Sequence, residues 1–116
     1  MKYMMLIAGS EESWASRSEA ENAALMERIG AWWEAQAAAG RIGEGYELEP
    51  SSTATSVRIG ESGAPTITDG PFAEGKEMVG GYGILDVPDL DAALQVASGW
   101  PVPGDILEVR PIVVRD

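Results

Sequence analysis

Apolar and polar positions follow two rhythms along this chain, and the places where one gives way to the other mark its elements. From Tyr3 to Ala8 every position is apolar. A strand with one wet face would alternate, so this run predicts an interior strand covered on both sides. Ser18 followed by Glu21 has the spacing of a capping box, after which Leu25, Ile29, Trp32, Trp33 and Gln36 recur at helical spacing until Gly40. The pattern predicts a long helix over about 19–39. Trp32 and Trp33 lie about 100° apart on it, so both are partly buried, as core or dimer-contact residues.

From Arg41 to Ile59 the helical rhythm is lost. Short strands broken by Gly43, Gly45 and Pro50 take its place, and Ser51 to Ile59 is rich enough in β-branched residues for an extended segment. Gly60-Glu61-Ser62-Gly63 turns the chain into a second short strand, Pro65 to Thr68, which completes a hydroxyl-rich hairpin. Asp69-Gly70-Pro71 is turn chemistry. Met78 to Val87 then reads as a strand whose Gly80, Gly81 and Gly83 leave room for a bend or a close neighbour. A second helix is predicted over about 89–98, with Leu90, Ala93, Leu94 and Ala97 on one face and Gly99 beyond its end. Pro101 and Pro103 stop it, and Ile106 to Val114 makes the last strand, in which Leu107, Val109 and Val113 alternate with Glu108, Arg110 and Ile112.

This order, strand, helix, strands, strand, helix, strand, predicts an α+β fold. It is a ferredoxin-like split β-α-β sandwich with an inserted β-hairpin, an antiparallel sheet with two helices on one face. The other sheet face would carry residues of 3–8, 82–85 and the last strand, an unusual apolar area to leave in water. At about 25 cal/mol per Å², covering even ~600 Å² contributes roughly 15 kcal/mol before the cost of association. A face-to-face homodimer is the simplest cover. The 116 residues fit one domain, 1–116, with no linker in evidence.

Charge and composition narrow the partners. With 19 acidic against 8 basic residues the net charge is -11, which disfavours direct binding to nucleic acid or to an anionic membrane surface. The chain contains no cysteine and no histidine. Thiolate chemistry, thiolate-held metals and every Ser-His-Asp or Cys-His arrangement are therefore excluded, and no cofactor is expected. The apolar start is too short for a secretory signal and no run approaches a membrane span, so a cytoplasmic location is expected.

Among the residues left, Asp69 stands beside a Gly-Pro turn at a strand end, where a carboxylate can act as base or ligand anchor, or simply bond turn amides. Arg110 on the last strand could clamp a carboxylate or phosphate, or be neutralised by Glu108 two residues away on the same face. Tyr82 offers a phenol, and Ser52, Thr53 and Thr55 offer hydroxyls, all of them also ordinary sheet residues. Lys76 and Glu77 are read as solvated or paired, and Phe72 as a core plug. If Asp69, Tyr82 and Arg110 converge, they form a pocket for a small polar or carboxylate-bearing molecule.

Several ordered blocks carry a resemblance: Pro50-Ser51-Ser52-Thr53-Ala54-Thr55-Ser56-Val57-Arg58, Thr68-Asp69-Gly70-Pro71-Phe72-Ala73-Glu74-Gly75-Lys76-Glu77, Gly80-Gly81-Tyr82, Asp89-Leu90-Asp91-Ala92-Ala93 and Glu108-Val109-Arg110-Pro111. With Ala31-Trp32-Trp33 they span nearly the whole chain, which resembles the YCII-related family in its DGPF branch. The resemblance implies a bacterial protein with a ferredoxin-like fold that pairs into a dimeric α/β barrel. Some relatives occur beside or fused to extracytoplasmic-function sigma factors, so the resemblance permits a regulatory link to such a factor without establishing one. Shorter members carry a His-Asp pair proposed to be catalytic, and a chain without histidine cannot use it. Two functions follow. One is a homodimeric small-molecule-binding or regulatory module with a cleft near the Asp69-Gly70-Pro71-Phe72 turn. The other is a cofactor-free lyase or isomerase acting on a small carboxylate-bearing substrate with Asp69 as base.

Overall fold

The computed structural model describes residues 1–71 and 75–115; Phe72 falls outside them. The run of apolar residues at the start forms β1 (Lys2–Gly9), followed by a short helix α1 (Glu11–Ser16) and the long helix α2 (Glu19–Ala38). Then come β2 (Ile42–Glu47), β3 (Thr55–Ile59), β4 (Pro65–Asp69), β5 (Met78–Asp86), α3 (Leu90–Ser98) and β6 (Ile106–Pro111). Four strands make one antiparallel sheet in the order β2-β5-β1-β6, and β3 and β4 make a separate two-stranded hairpin. This is the expected ferredoxin-like α+β arrangement, with the hairpin inserted between the second and third strands of the sheet.

Local chemistry accounts for the element ends. The capping box is formed, Ser18 Oγ accepting from the Glu21 N–H at 3.1 Å and the Glu21 carboxylate from the Ser18 N–H at 3.0 Å. At the far end Gly40 adopts φ +73°, a conformation that costs a side chain but not glycine. Helix α1 is an element the hydrophobic pattern does not contain. It is nucleated by Ser10, whose hydroxyl accepts from the Ser13 N–H, a cap followed by too few residues to show a period. Residues Ser51–Thr53 form one 3₁₀ turn instead of the expected extended segment, closed by the Thr53 hydroxyl on the Pro50 carbonyl at 2.7 Å.

Two further expectations are corrected. On α3 the buried residues are Ala93, Val96 and Ala97, while Leu90 and Leu94 are 47% and 45% exposed. Small side chains let the helix lie close on the sheet, and the leucines are left at its margin. The last strand ends at Pro111 rather than Val114, although the Ile112 N–H still reaches the Lys2 carbonyl at 2.9 Å.

The core lies on one face of the sheet. Tyr3, Met5 and Ile7 of β1 and Leu85 of β5 pack with Ile42, Val87, Ala93, Val96 and Ala97, flanked by Trp32, Trp33 and Trp100. Met4, Leu6 and Ala8 point to the other face, half-buried beside Tyr82 and Ile84. Both sides of β1 are therefore apolar, but only one has helices over it. The accessible surface is 8209 Å², against roughly 6,100 Å² for a compact chain of this mass. The radius of gyration, 16.3 Å, likewise exceeds the ~13.4 Å of a compact domain. The hairpin contributes to this excess, since Val57, Ile59 and Ile67 on one of its faces are 58%, 64% and 69% exposed.

Candidate functional site

The residues singled out from sequence fall into two groups. Asp69 ends β4 and pairs in register with Thr55 of β3, so these two stand together on the hairpin, both exposed. Beside them Gly70, at φ +95°, donates its N–H to the Ala54 carbonyl at 2.7 Å, and its own carbonyl accepts from the Ser56 hydroxyl at 2.6 Å. Ser52 and Thr53 lie in the preceding 3₁₀ turn, exposed to solvent.

Tyr82 and Arg110 belong to the main sheet. Tyr82 is opposite Leu6 and Arg110 opposite Met4 in the ladders of β1, which sets both on the face away from the helices. Arg110 Nε is paired with Glu108 at 2.9 Å, side by side on an exposed surface, where such a pair contributes little stability. The Tyr82 phenol is pushed above its ordinary value by desolvation first and by the Glu44 carboxylate second. At neutral pH it is a donor and not a base. The sheet brings Tyr82 and Arg110 to one face, and Asp69 stands apart on the hairpin.

A large concavity lies elsewhere, on the helix side of the sheet. It is a cleft of about 880 Å³ whose floor includes Ile7, Gly45 and Gly81, a volume within the range of small-molecule sites. One wall is α2, with Met26, Ile29, Gly30 and Trp33. Trp14 of α1, the 47–51 loop and the first residues of β5 complete it, with Trp100 and Asp105 at one end.

The sequence builds this shape through its glycines. Gly45 is where the Trp33 ring seats on β2, and a methyl there would also meet the Tyr82 carbonyl oxygen at 2.6 Å. Gly30 is the reverse case. It lines the cleft from the interior of α2, where glycine is less favourable than alanine by ~1 kcal/mol, yet a Cβ there would meet nothing within 4 Å. Internal packing does not require this glycine, and the open space it leaves belongs to the cleft.

The polar groups of the lining are mostly acidic. Asp105 is half-buried, and its Oδ2 accepts from Trp100 Nε1 at 2.9 Å. Burial raises its carboxyl above the usual range, opposed by that hydrogen bond and by the charge of Arg17. Its other oxygen, Oδ1, packs over Gly9, where any side chain would collide with it. Glu11 joins α1 to the 3₁₀ turn by accepting from both the hydroxyl and the N–H of Ser51, the latter at 2.9 Å, and these bonds hold its carboxyl below the usual value. Glu47 and Glu49 are exposed at the mouth.

Sequence reasoning did not single out Trp14, Gly30, Glu47 or Asp105. None of them lies in a motif. A glycine in mid-helix with no helix end near it was the available signal. No group of three or more acidic, histidine or cysteine side chains suited to a metal ion occurs among the described residues, nor is any described helix long and apolar enough to cross a membrane.

The family model described as the YCII-related domain matches residues 1–115. An uncharacterized protein of Rhizobium meliloti (strain 1021) is 31% identical over 118 residues, covering 98% of this chain and 94% of its own.

Proposed function

This chain belongs to the YCII-related family, and on that premise we propose that it is a homodimeric small-molecule-binding module whose ligand occupies the cleft between α2 and the sheet. The observation that carries the reading is the 880 Å³ cleft itself, together with Gly30 facing it with nothing within 4 Å. A glycine kept inside a helix at a cost in stability is what close approach of a ligand to the helix backbone requires. The site differs from the one expected beside the Asp69 turn, and it approaches that region through Pro50 and Ser51 before β3 and through Met78 and Val79 at the start of β5.

Pairing is supported by the surplus of surface and by the one-sided core. The half-buried Met4, Leu6 and Ile84 and the exposed Val57, Ile59 and Ile67 give a second copy two apolar surfaces to cover. An isolated two-stranded hairpin is marginal in water, so the arm gains most from such a partner. Sedimentation at low micromolar concentration tests this, and a lone 12.3 kDa species would contradict it. For the cleft, Gly30→Trp fills the space while leaving the core untouched. Small molecules that stabilise the native protein in a thermal-shift screen are expected to lose their effect on this variant. Unchanged shifts would move the site elsewhere. The alternative, a cofactor-free lyase or isomerase with Asp69 as base, would be established by turnover that Asp69→Asn abolishes without loss of folding.

A further inference from the structure

Four carboxylate residues line the cleft, Glu11, Glu47, Glu49 and Asp105, and no lysine or arginine does. Arg17 lies outside the lining, with its guanidinium 5.1 Å from the centre of the Trp14 ring, one nitrogen donating to the Pro103 carbonyl at 3.5 Å and Nη1 buried without a hydrogen-bond partner among the described residues. Much of the rest of the lining is apolar and aromatic, with Trp14, Trp33 and Trp100 around the space. An anionic ligand would meet four carboxylate residues in a lining that holds no lysine or arginine. A neutral apolar ligand would leave Asp105 desolvated with one oxygen, Oδ1, that no described residue bonds. A cation satisfies both conditions, since indole faces attract ammonium groups and carboxylates at the mouth raise its local concentration.

We propose that the ligand is an organic ammonium ion, a primary amine carried on a flat or linear apolar body. The body lies between Trp14, Trp33 and the Gly30 stretch of α2, and the ammonium is held by carboxylates of the cleft. Gly30 matters because it lets the body approach the helix backbone. This inference rests on the cleft being the binding site, and it reverses the charge of the ligand expected from Arg110, which is on the opposite face of the sheet and paired with Glu108.

The test titrates the full-length protein with phenethylammonium, tryptammonium and hexylammonium, each beside its neutral alcohol and its carboxylate isostere, with tryptophan fluorescence and calorimetry as readouts. At least one amine is expected to saturate and to bind about tenfold or more tighter than its isosteres, equal to ~1.4 kcal/mol, with affinity falling as salt rises. The double variant Glu47→Gln/Glu49→Gln, at exposed positions that do not threaten folding, is expected to reduce the amine preference by a similar factor. Alcohols or carboxylates that bind as well as the amines, or an amine affinity indifferent to the double variant, would overturn the ammonium assignment and leave the cleft as a binding site. Failure of all nine compounds to saturate would overturn the assignment and the cleft reading together.

Discussion

Replacing Gly30 with alanine makes the protein more stable if the space over that residue is open, and the size of the effect can be worked from the helix alone. Gly30 lies well inside α2, which runs Glu19–Ala38 and is fixed at its start by the Ser18–Glu21 box and at its end by Gly40. Alanine is favoured over glycine in a helix interior by about 0.8–1 kcal/mol, through backbone entropy of the unfolded chain. At Gly30 nothing subtracts from this figure, because a methyl there meets no atom within 4 Å. For a chain of this size the gain corresponds to a rise in Tm of about 3–6 °C. Thermal unfolding followed by circular dichroism at fixed protein concentration measures it, the concentration being held because association also shifts Tm. An unchanged or lowered Tm would refute the reasoning, since it would mean that another surface already occupies the space assigned to the cleft.

Three other changes probe packing and charge. Gly45→Ala should cost about 1–3 kcal/mol in urea denaturation, because the Trp33 ring and the Tyr82 carbonyl leave no room for the methyl; Gly43→Ala, two residues earlier with nothing within 4 Å, is the control, and equal effects would contradict the packing. Glu11 and Glu21 have carboxyls held below the ordinary value by hydrogen bonds from Ser51 and Ser18. Their contribution to stability is complete above the unfolded value of 4.5 and is lost as pH falls through the lower folded one. Glu21→Gln should therefore flatten the acid limb of the stability curve, and an unaltered limb would exclude the capping carboxylate as a source. Asp105 works the other way. Burial raises it above 3.8, so its ionisation weakens the fold as pH rises through the folded value. Asp105→Asn, which keeps an oxygen for Trp100 Nε1, should be more stable than the parent at neutral pH and no more stable at acid pH.

Much of the fold was legible because it rests on short-range rules. The Ser18–Glu21 box, the helical spacing up to Gly40 and the doubly apolar β1 each depend on residues within a few positions of one another, and each appears where the pattern puts it. Misreadings occurred where a short segment borrows its conformation. Helix α1 is one capped turn and a half, and the 3₁₀ turn at Ser51–Thr53 is tied to Glu11, forty positions back in the chain. No local window contains that bond. Similarly, the α3 pattern offered Leu90 and Leu94 for burial beside Ala93 and Ala97, and the close approach of helix to sheet buried the alanines with Val96 and left the leucines exposed.

The site shows the same division more sharply. Sequence alone determined that no imidazole or thiol chemistry is available, that the chain is acidic, and that the sheet has an apolar second face, because these depend on which residues are present and on the period of a strand. Only the tertiary structure decided where the concavity is. Trp14, Gly30, Glu47 and Asp105 come from two helices, a strand and a loop, and their common feature is position in space. Packing Trp33 onto Gly45 and leaving Gly30 bare are outcomes of how α2 lies across the sheet, and that crossing is set by the whole core.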